Sequence, residues 1–220
     1  NKTLGKFTPD WTGGISNTFS YRSLSLSFLI DASVGGSIFS NTNKTGKYTG
    51  VLANTLSGRD AEHGGLWYYT AAMGNNVRLP ESPSYSVSSD GLYYAQVNGQ
   101  STRVYQDGIM VEGVTESGSK NEEVVSAEKY YHRIYSIAEA NVYDASYVKL
   151  REVALSYRLP RLWTQKLHLQ EASVTLTGRN LWTIYKSVPN IDPESALTTG
   201  NAQGVEAYSS VSYTHLTLPT

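Results

Sequence analysis

The 220-residue sequence lacks cysteine and has no excess of either charge, since 18 basic residues stand against 19 acidic ones. Without Cys, a disulfide-stapled scaffold and a thiolate-bound zinc or iron–sulfur site are excluded. The net charge of −1 excludes a strongly basic nucleic-acid binder, because no surplus of cations exists to neutralise phosphates. No apolar run approaches the roughly 18–20 residues of a transmembrane helix.

The residues that are abundant are hydroxylated or small. Tyr occurs 17 times and Gly 19 times, whereas charged residues make up only 17% of the chain. That share is below the roughly 25% of an average globular protein. Such a composition suits an extended β-surface, apolar on one face and hydroxyl-rich on the other, better than an α/β enzyme.

Alternation of apolar and polar residues is the strongest local pattern and predicts an all-β, antiparallel fold. Leu24, Leu26, Phe28 and Ile30, for example, alternate with Ser and Asp over one stretch. The predicted strands cover about 14–21, 23–34, 146–159 and 171–184, with a possible fifth over 205–211. We expect the first to pair with the second through a very short turn, and the third with the fourth. The outer edges of both pairs should lack partner strands.

The segment 35–143 is punctuated by Gly-Gly and Pro, which predicts one very long loop. A short helix is expected within it, from about 121 to 137. Short turns that alternate with long loops are typical of a large transmembrane β-barrel whose long loops are extracellular. The alternative is a soluble or surface-attached β-sandwich that binds carbohydrate.

Several separated motifs, in order, resemble the C-terminal part of SusC/RagA-type TonB-dependent outer-membrane transporters. They are PDWTGG at 9–14, DASVGG at 31–36, DASYVKLREVALSYRLP at 144–160, GRNL at 178–181 and PNIDPE at 189–194. The resemblance implies a barrel of about 22 strands in the bacterial outer membrane. It also implies a SusD-like surface lipoprotein as a lid, energy from TonB, and glycan or peptide cargo. Such a protein binds and translocates its cargo without bond chemistry or a cofactor.

On this interpretation residues 1–210 are about four to five strands of a larger barrel. The family ends on an aromatic residue in its last strand, whereas this chain ends in Leu-Pro-Thr. Residues 211–220 are therefore interpreted as a non-native tail that resembles translated sequencing adapter.

The strand pattern assigns candidate residues to each face. The residues expected to face lipid are Leu24, Leu26, Phe28, Ile30, Val153, Leu155, Val174 and Leu176. Those expected to face the lumen are Asp31, Glu152, Arg158 and Arg179. Aromatic residues expected in a girdle at the membrane interface are Tyr21, Tyr157, Trp163 and Trp182. Candidates for contact with cargo or lid in the long loop are Trp67, Tyr68, Tyr69, Tyr93 and Tyr94, with local packing as the alternative for each.

The sequence has no catalytic constellation, and no metal site is predicted. His63, His132, His168 and His215 lie far apart without a metal-binding spacing. The run Asp192-Pro193-Glu194 could ligate a hard cation such as calcium. A Pro-stiffened turn is the preferred interpretation.

Overall fold

The structure is a computed structural model that describes residues 2–80, 83–166, 168–196 and 199–208, and the backbone of 215–217. Its strands are β1 Trp11–Tyr21, β2 Leu24–Val34, β3 Ser37–Ser40, β4 Leu66–Thr70, β5 Asn76–Arg78, β6 Tyr85–Val87, β7 Tyr93–Val97, β8 Gln100–Met110, β9 Val124–Ser126, β10 Val142–Asp144, β11 Tyr147–Arg158, β12 Ser173–Lys186, β13 Val205–Glu206 and β14 His215–Thr217. The α-helices are α1 Asn41–Thr49, α2 Ala127–Ser136 and α3 Arg161–Lys166. Short 3-10 turns cover Ala53–Thr55, Ala138–Asn141, Pro193–Ser195 and Gly200–Ala202. Within the described ranges, every helix is too short or too polar to cross a membrane.

The predicted antiparallel strands form one sheet in the order β1-β2-β11-β12-β14. Tyr21 pairs with Leu24, so β1 and β2 are joined by a two-residue turn in which Arg22 adopts a left-handed φ of 55°. Strands β11 and β12 are antiparallel partners, and β11 also pairs with β2. The predicted strand boundaries agree with the observed ones within three residues.

The two outer edges of this sheet differ. No described strand pairs with the outer edge of β1. The outer edge of β12 pairs with β14 over Thr177–Arg179, contrary to the prediction of a missing partner there. The possible fifth strand is also misplaced, because β13 pairs in parallel with β3 rather than joining this sheet. Residues 209–211 of that prediction lie outside the described residues.

A small three-stranded sheet, in the order β10-β3-β13, continues from one end of the large sheet. The link from β2 to β3 passes through Gly35 and Gly36, whose φ values of 79° and 80° favour glycine. A side chain at Gly35 would also meet the Asp10 carboxylate. Ile38, Val188 and Ile191 are almost fully buried and form the apolar core of this end.

Glu206 is fully buried at the N-terminus of α1. Its carboxylate accepts hydrogen bonds from Ser40 Oγ at 3.0 Å, from the Thr42 backbone N–H at 2.9 Å and from Thr42 Oγ1 at 2.8 Å. The positive end of the helix dipole favours a negative charge at this place. Polar partners and the helix terminus together allow a carboxylate to be buried here.

The chain divides into two compact units, one of Asn1–Asn43 with Asn141–Thr220 and one of Lys44–Ala140. The second unit corrects the prediction of a single long loop over 35–143. It contains a sheet in the order β5-β4-β8-β7-β6, and β9 also pairs with β8. Trp67, Ala95 and Val104 are buried in its core. Most strands of this unit are short and are separated by Gly and Ser residues. The composition of the segment therefore looks like that of a loop although it folds into a sheet.

The predicted helix over 121–137 is shorter than expected. Val124–Ser126 form β9, and α2 begins only at Ala127. The Ser126 hydroxyl accepts a hydrogen bond from the Lys129 backbone N–H and so caps the helix.

Candidate functional site

One face of the large sheet carries apolar side chains in rows that run across four strands. Leu26 pairs with Leu155, and Leu155 pairs with Leu176. The next row joins Leu24, Tyr157 and Val174 in the same way. Because paired residues share a face, all eight residues predicted to face lipid lie on this side of the sheet. They are Leu24, Leu26, Phe28, Ile30, Val153, Leu155, Val174 and Leu176.

Most of this apolar face is exposed within the described structure, whereas Phe28, Ile30 and Val153 are half-buried. Leu24, Leu26, Leu155, Val174 and Leu176 each expose between 40% and 46% of their surface. The neighbouring β1 adds the exposed side chains of Ile15, Phe19 and Tyr21, with Asn17 as a polar exception on the same face. A contiguous apolar surface of this kind marks an interaction with protein or membrane.

The four aromatic residues predicted as a girdle are all exposed. Tyr21 and Tyr157 flank Leu24 at the short-turn end of the apolar face. Trp163 lies on α3, just beyond that end, and Trp182 pairs with Leu150 near the other end. Val174 and Trp182 are eight positions apart on β12. At about 3.3 Å per residue, the two rows are separated by about 26 Å along the strand.

The opposite face is polar and carries paired charges. Arg179 Nε lies 3.0 Å from Glu152 Oε2, across the β11–β12 pair. Arg158 Nε lies 2.7 Å from Glu171 Oε1. Glu152 and Arg179 pair with each other on this face, and Arg158 follows on it six residues after Glu152. Asp31 pairs with Lys149 on the same face, so all four residues predicted to face the lumen lie on this side.

A denser charge cluster lies at the end of the polar face nearest the small sheet. We call it the strand-end cluster, and it consists of Asp31, Tyr147, Lys149, Arg151, Asp192 and Glu194. The ammonium of Lys149 lies 2.5 Å from Asp192 Oδ1 and 2.7 Å from Glu194 Oε2, and its side chain is only 5% exposed. Arg151 bridges two carboxylates, because Nη2 donates to Asp31 Oδ2 at 2.8 Å and Nη1 to Glu194 Oε2 at 2.7 Å.

Hydrogen bonds determine the ionisation of Glu194. Burial alone would raise the pKa of its carboxyl group, but hydrogen bonds from Arg151 and Lys149 outweigh burial and hold the pKa at about 2. The Tyr147 hydroxyl adds a hydrogen bond of 3.0 Å. Glu194 is therefore a carboxylate at any ordinary pH, with its oxygens already occupied by donors.

Residues 192–194 form a turn whose carboxylates belong to the strand-end cluster. Asp192 caps the 3-10 turn Pro193–Ser195 by accepting from the Glu194 backbone N–H at 2.9 Å. Its Oδ1 and the oxygens of Glu194 are paired with Lys149 and Arg151. In the part of the chain that the structure describes, no group of three or more His, Asp or Glu side chains could hold a metal ion.

Lys149 and Arg151 were not among the candidate residues from sequence. Arg151 meets the cluster because the β11 register shifts between Leu150 and Glu152 against both neighbouring strands. A β-bulge of this type adds an unpaired residue and redirects its side chain. A strict period of two would place Arg151 on the apolar face. The one sign of the cluster in the sequence is the presence of two cations, Lys149 and Arg151, within the alternating segment 146–159.

The aromatic residues predicted to lie in an open loop lie on strands of the second unit. Trp67 and Tyr68 on β4 are buried, and Tyr69, Tyr93 and Tyr94 are partly buried. The Trp67 ring stacks on the Tyr85 ring with 4.9 Å between their centroids, and it packs edge-on against Tyr93 with 5.5 Å between centroids. The structure therefore places Trp67 and Tyr68 in the packed sheet, because their apolar area is used in the core.

The Tyr68 hydroxyl donates to Asp107 Oδ1 at 3.2 Å. Burial and the nearby carboxylate raise the pKa of Tyr68 well above its ordinary value. The phenol stays neutral and acts as a hydrogen-bond donor that orients Asp107.

No family model matches the chain. The chain is 24% identical over 202 residues to TonB-dependent receptor P3 of Formosa agariphila. The aligned region is 92% of this chain and 14% of the relative, so the chain spans about a seventh of the relative's length. The resemblance to TonB-dependent receptors that the motifs predict is confirmed by this relative.

Solved structures with a partial likeness are those of the RagAB peptide transporter and of the RagAB peptide importer in its 'open-open' state. Both are 18% identical to the chain. The alignment with the first covers 95% of the present chain and 16% of the solved chain, with a TM-score of 0.44. The alignment with the second covers 90% of the present chain and 16% of the solved chain, with a TM-score of 0.39.

Proposed function

We propose that the chain is a segment of the barrel wall of a SusC-like, TonB-dependent transporter in the bacterial outer membrane. The carrying observation is the largely exposed apolar face, whose side chains are in register across β1, β2, β11 and β12 while the ionised residues lie on the other side. In the proposed barrel the apolar face contacts lipid and the polar face lines the lumen. A lipid-facing arginine at mid-depth would cost about 2–4 kcal/mol, which is consistent with the segregation of charge.

The outer edge of β1 supports a barrel over a soluble sandwich. This edge is 11 residues long and has no partner among the described strands. Soluble proteins avoid long free edges because they template aggregation, whereas a barrel pairs every edge with a neighbouring strand. A carbohydrate-binding sandwich would in addition cover the apolar face with a second sheet.

The remaining parts of the proposal rest on the motif resemblance and on the similarity to a TonB-dependent receptor. We propose that a SusD-like lipoprotein covers the extracellular mouth and that TonB supplies the energy. The cargo is an oligosaccharide or a peptide, and the transporter binds and translocates it without chemical change. The second unit, Lys44–Ala140, belongs to the extracellular vestibule in this arrangement.

Because the sequence contains no Cys, labelling of single introduced cysteines tests the orientation of the two faces. Leu155→Cys and its neighbour Ala154→Cys are prepared in the full-length protein, with any cysteine elsewhere replaced first, and inserted into vesicles. A water-soluble maleimide should label position 154 and leave 155 unlabelled, whereas a spin label at 155 should collide with oxygen dissolved in lipid. A soluble sandwich would remain outside the vesicles, and that result would contradict the proposal.

A further inference from the structure

The helix α3, between β11 and β12, exposes both of its apolar residues together with its charged ones, and the one residue it buries is polar. Leu162 is 74% exposed and Trp163 59% exposed, whereas Thr164 is only 2% exposed. A helix that packs on a protein surface in water buries its apolar side chains and exposes its polar ones. The exposed Leu-Trp pair of α3 indicates that its outer side does not face water.

The same end of the sheet is rich in cations. Arg22 lies in the β1–β2 turn, Arg158 ends β11, and Arg161 and Lys166 begin and end α3. The backbone N–H of Arg158 donates to Ser23 O at 2.8 Å, which holds the β1–β2 turn beside the start of the α3 connection.

The acidic residues at this end do not balance these cations. Residues 19–26 contain none, and residues 157–174 contain only Glu171. Glu171 is paired with Arg158 at 2.7 Å. Arg22, Arg161 and Lys166 therefore form a positive rim, which we call the basic rim, next to the last apolar row of Leu24, Tyr157 and Val174.

We propose that the basic rim and α3 together bind the headgroups of anionic phospholipids in the adjacent leaflet. This inference rests on the proposed function, because it requires the apolar face to lie in a bilayer. Leu162 and Trp163 enter the interface, where an indole ring is favoured, while the cations pair with lipid phosphates. Arg22 also contacts the Tyr21 ring at 5.3 Å, which keeps a cation and a girdle aromatic together.

At the opposite end of the described sheet, the cations are engaged within the protein: Lys6 pairs with Asp10, and the ammonium of Lys186 donates to Ile191 O at 2.8 Å. There, Lys149 and Arg151 are occupied by the carboxylates of Asp31, Asp192 and Glu194. The charge difference between the two ends gives the phospholipid preference a direction across the membrane.

The test compares three forms of the full-length protein in nanodiscs made of phosphatidylethanolamine with or without phosphatidylglycerol. The variant R22Q/R161Q/K166Q removes the basic rim and leaves the Arg158–Glu171 pair intact. The matched control, K120Q/K129Q/R133Q, removes three exposed cations of the second unit. Native mass spectrometry counts the phosphatidylglycerol molecules retained by each form.

We expect the wild type and the control to retain phosphatidylglycerol over phosphatidylethanolamine about tenfold, and the rim variant to lose this preference. Each cation near an anionic surface strengthens binding by about fivefold, and screening lowers the combined effect of three. An equal preference for phosphatidylglycerol in the wild type and the rim variant overturns the proposal. That result is also expected if the three cations bind an acidic protein instead of lipid.

Quenching of tryptophan fluorescence, measured on the same protein forms in matching nanodiscs whose lipids carry brominated acyl chains, separates the two proposals. Quenching without a phosphatidylglycerol preference overturns the headgroup site and leaves the barrel wall standing. Absence of both quenching and insertion overturns the proposed function as well.

Discussion

An arginine placed on the apolar face of β11 should cost more free energy the further it lies from the girdle. Tyr157, Leu155 and Val153 follow one another on this face at intervals of two residues. With a rise of about 3.3 Å per residue and a strand tilt of about 40°, Leu155 lies about 5 Å and Val153 about 10 Å deeper in the bilayer than Tyr157. The apolar band of such a barrel is about 25 Å tall, so Val153 is close to its middle.

We therefore expect Val153→Arg to lower the free energy of unfolding by about 2–4 kcal/mol, Leu155→Arg by about 1–2 kcal/mol and Tyr157→Arg by no more than about 1 kcal/mol. The assay is a urea titration of the full-length protein in vesicles. The folded fraction is measured by gel electrophoresis of unheated samples, as the share of protein in the band that changes its mobility when the sample is heated.

Ala154→Arg is the matched control, because Ala154 lies between Val153 and Leu155 in sequence and on the opposite face of the sheet. On the polar face this arginine should cost less than about 1 kcal/mol. Equal costs at 153 and 154, or a cost that falls from 157 to 153, would refute the assignment of the apolar face to lipid.

Three further predictions concern the polar face, the buried Glu206 and the second unit. The folded-state pKa of Glu194 is about 2, lower than its ordinary 4.5, so its stabilisation is present above pH 4.5 and is lost as the pH falls towards 2. After a discount for its partial exposure this stabilisation is about 1–2 kcal/mol, and the thermal midpoint of the wild type should fall more steeply over this pH range than that of Glu194→Gln. Glu206→Gln should destabilise by about 2–4 kcal/mol, because an amide N–H₂ would replace an oxygen that accepts hydrogen bonds, and amide hydrogen exchange in 41–49 should accelerate. Trp67→Ala should cost about 3–5 kcal/mol and Trp67→Phe much less, as measured by chemical denaturation; lost uptake with unchanged stability would instead indicate direct contact with cargo.

The sequence was most informative where one face of a strand is apolar. In β2, Leu24, Leu26, Phe28 and Ile30 alternate with polar residues, so the period of two assigns the face without any tertiary information. The very short turn at Arg22 then determines which residues of β1 and β2 are opposite each other. Both depend on local geometry, which a single sequence contains.

The strand-end cluster could not be predicted in the same way. Lys149 and Glu194 are 45 residues apart, and their contact depends on how the chain returns after β12. The bulge at Arg151 breaks the period of two without a Gly to indicate it. The second unit was missed for a different reason. Its described strands other than β8 have three to five residues, too few for alternation to be distinguished from chance, and the 11-residue β8 has its apolar residues in adjacent pairs rather than in alternation.

The burial of Glu206 also has a consequence for the order in which the chain can assemble. The N-terminus of α1 is satisfied by a carboxylate that lies 164 residues later than Thr42. Until Val205–Glu206 has paired with β3, the Thr42 N–H lacks its carboxylate acceptor, and only the local cap from the Ser40 hydroxyl to the Asn43 N–H is in place. An isolated helix of nine residues is not stable in water. A segment synthesised long after α1 therefore completes the N-terminus of that helix. A truncation before Glu206 should remove more than a short strand, because it should also unfold α1.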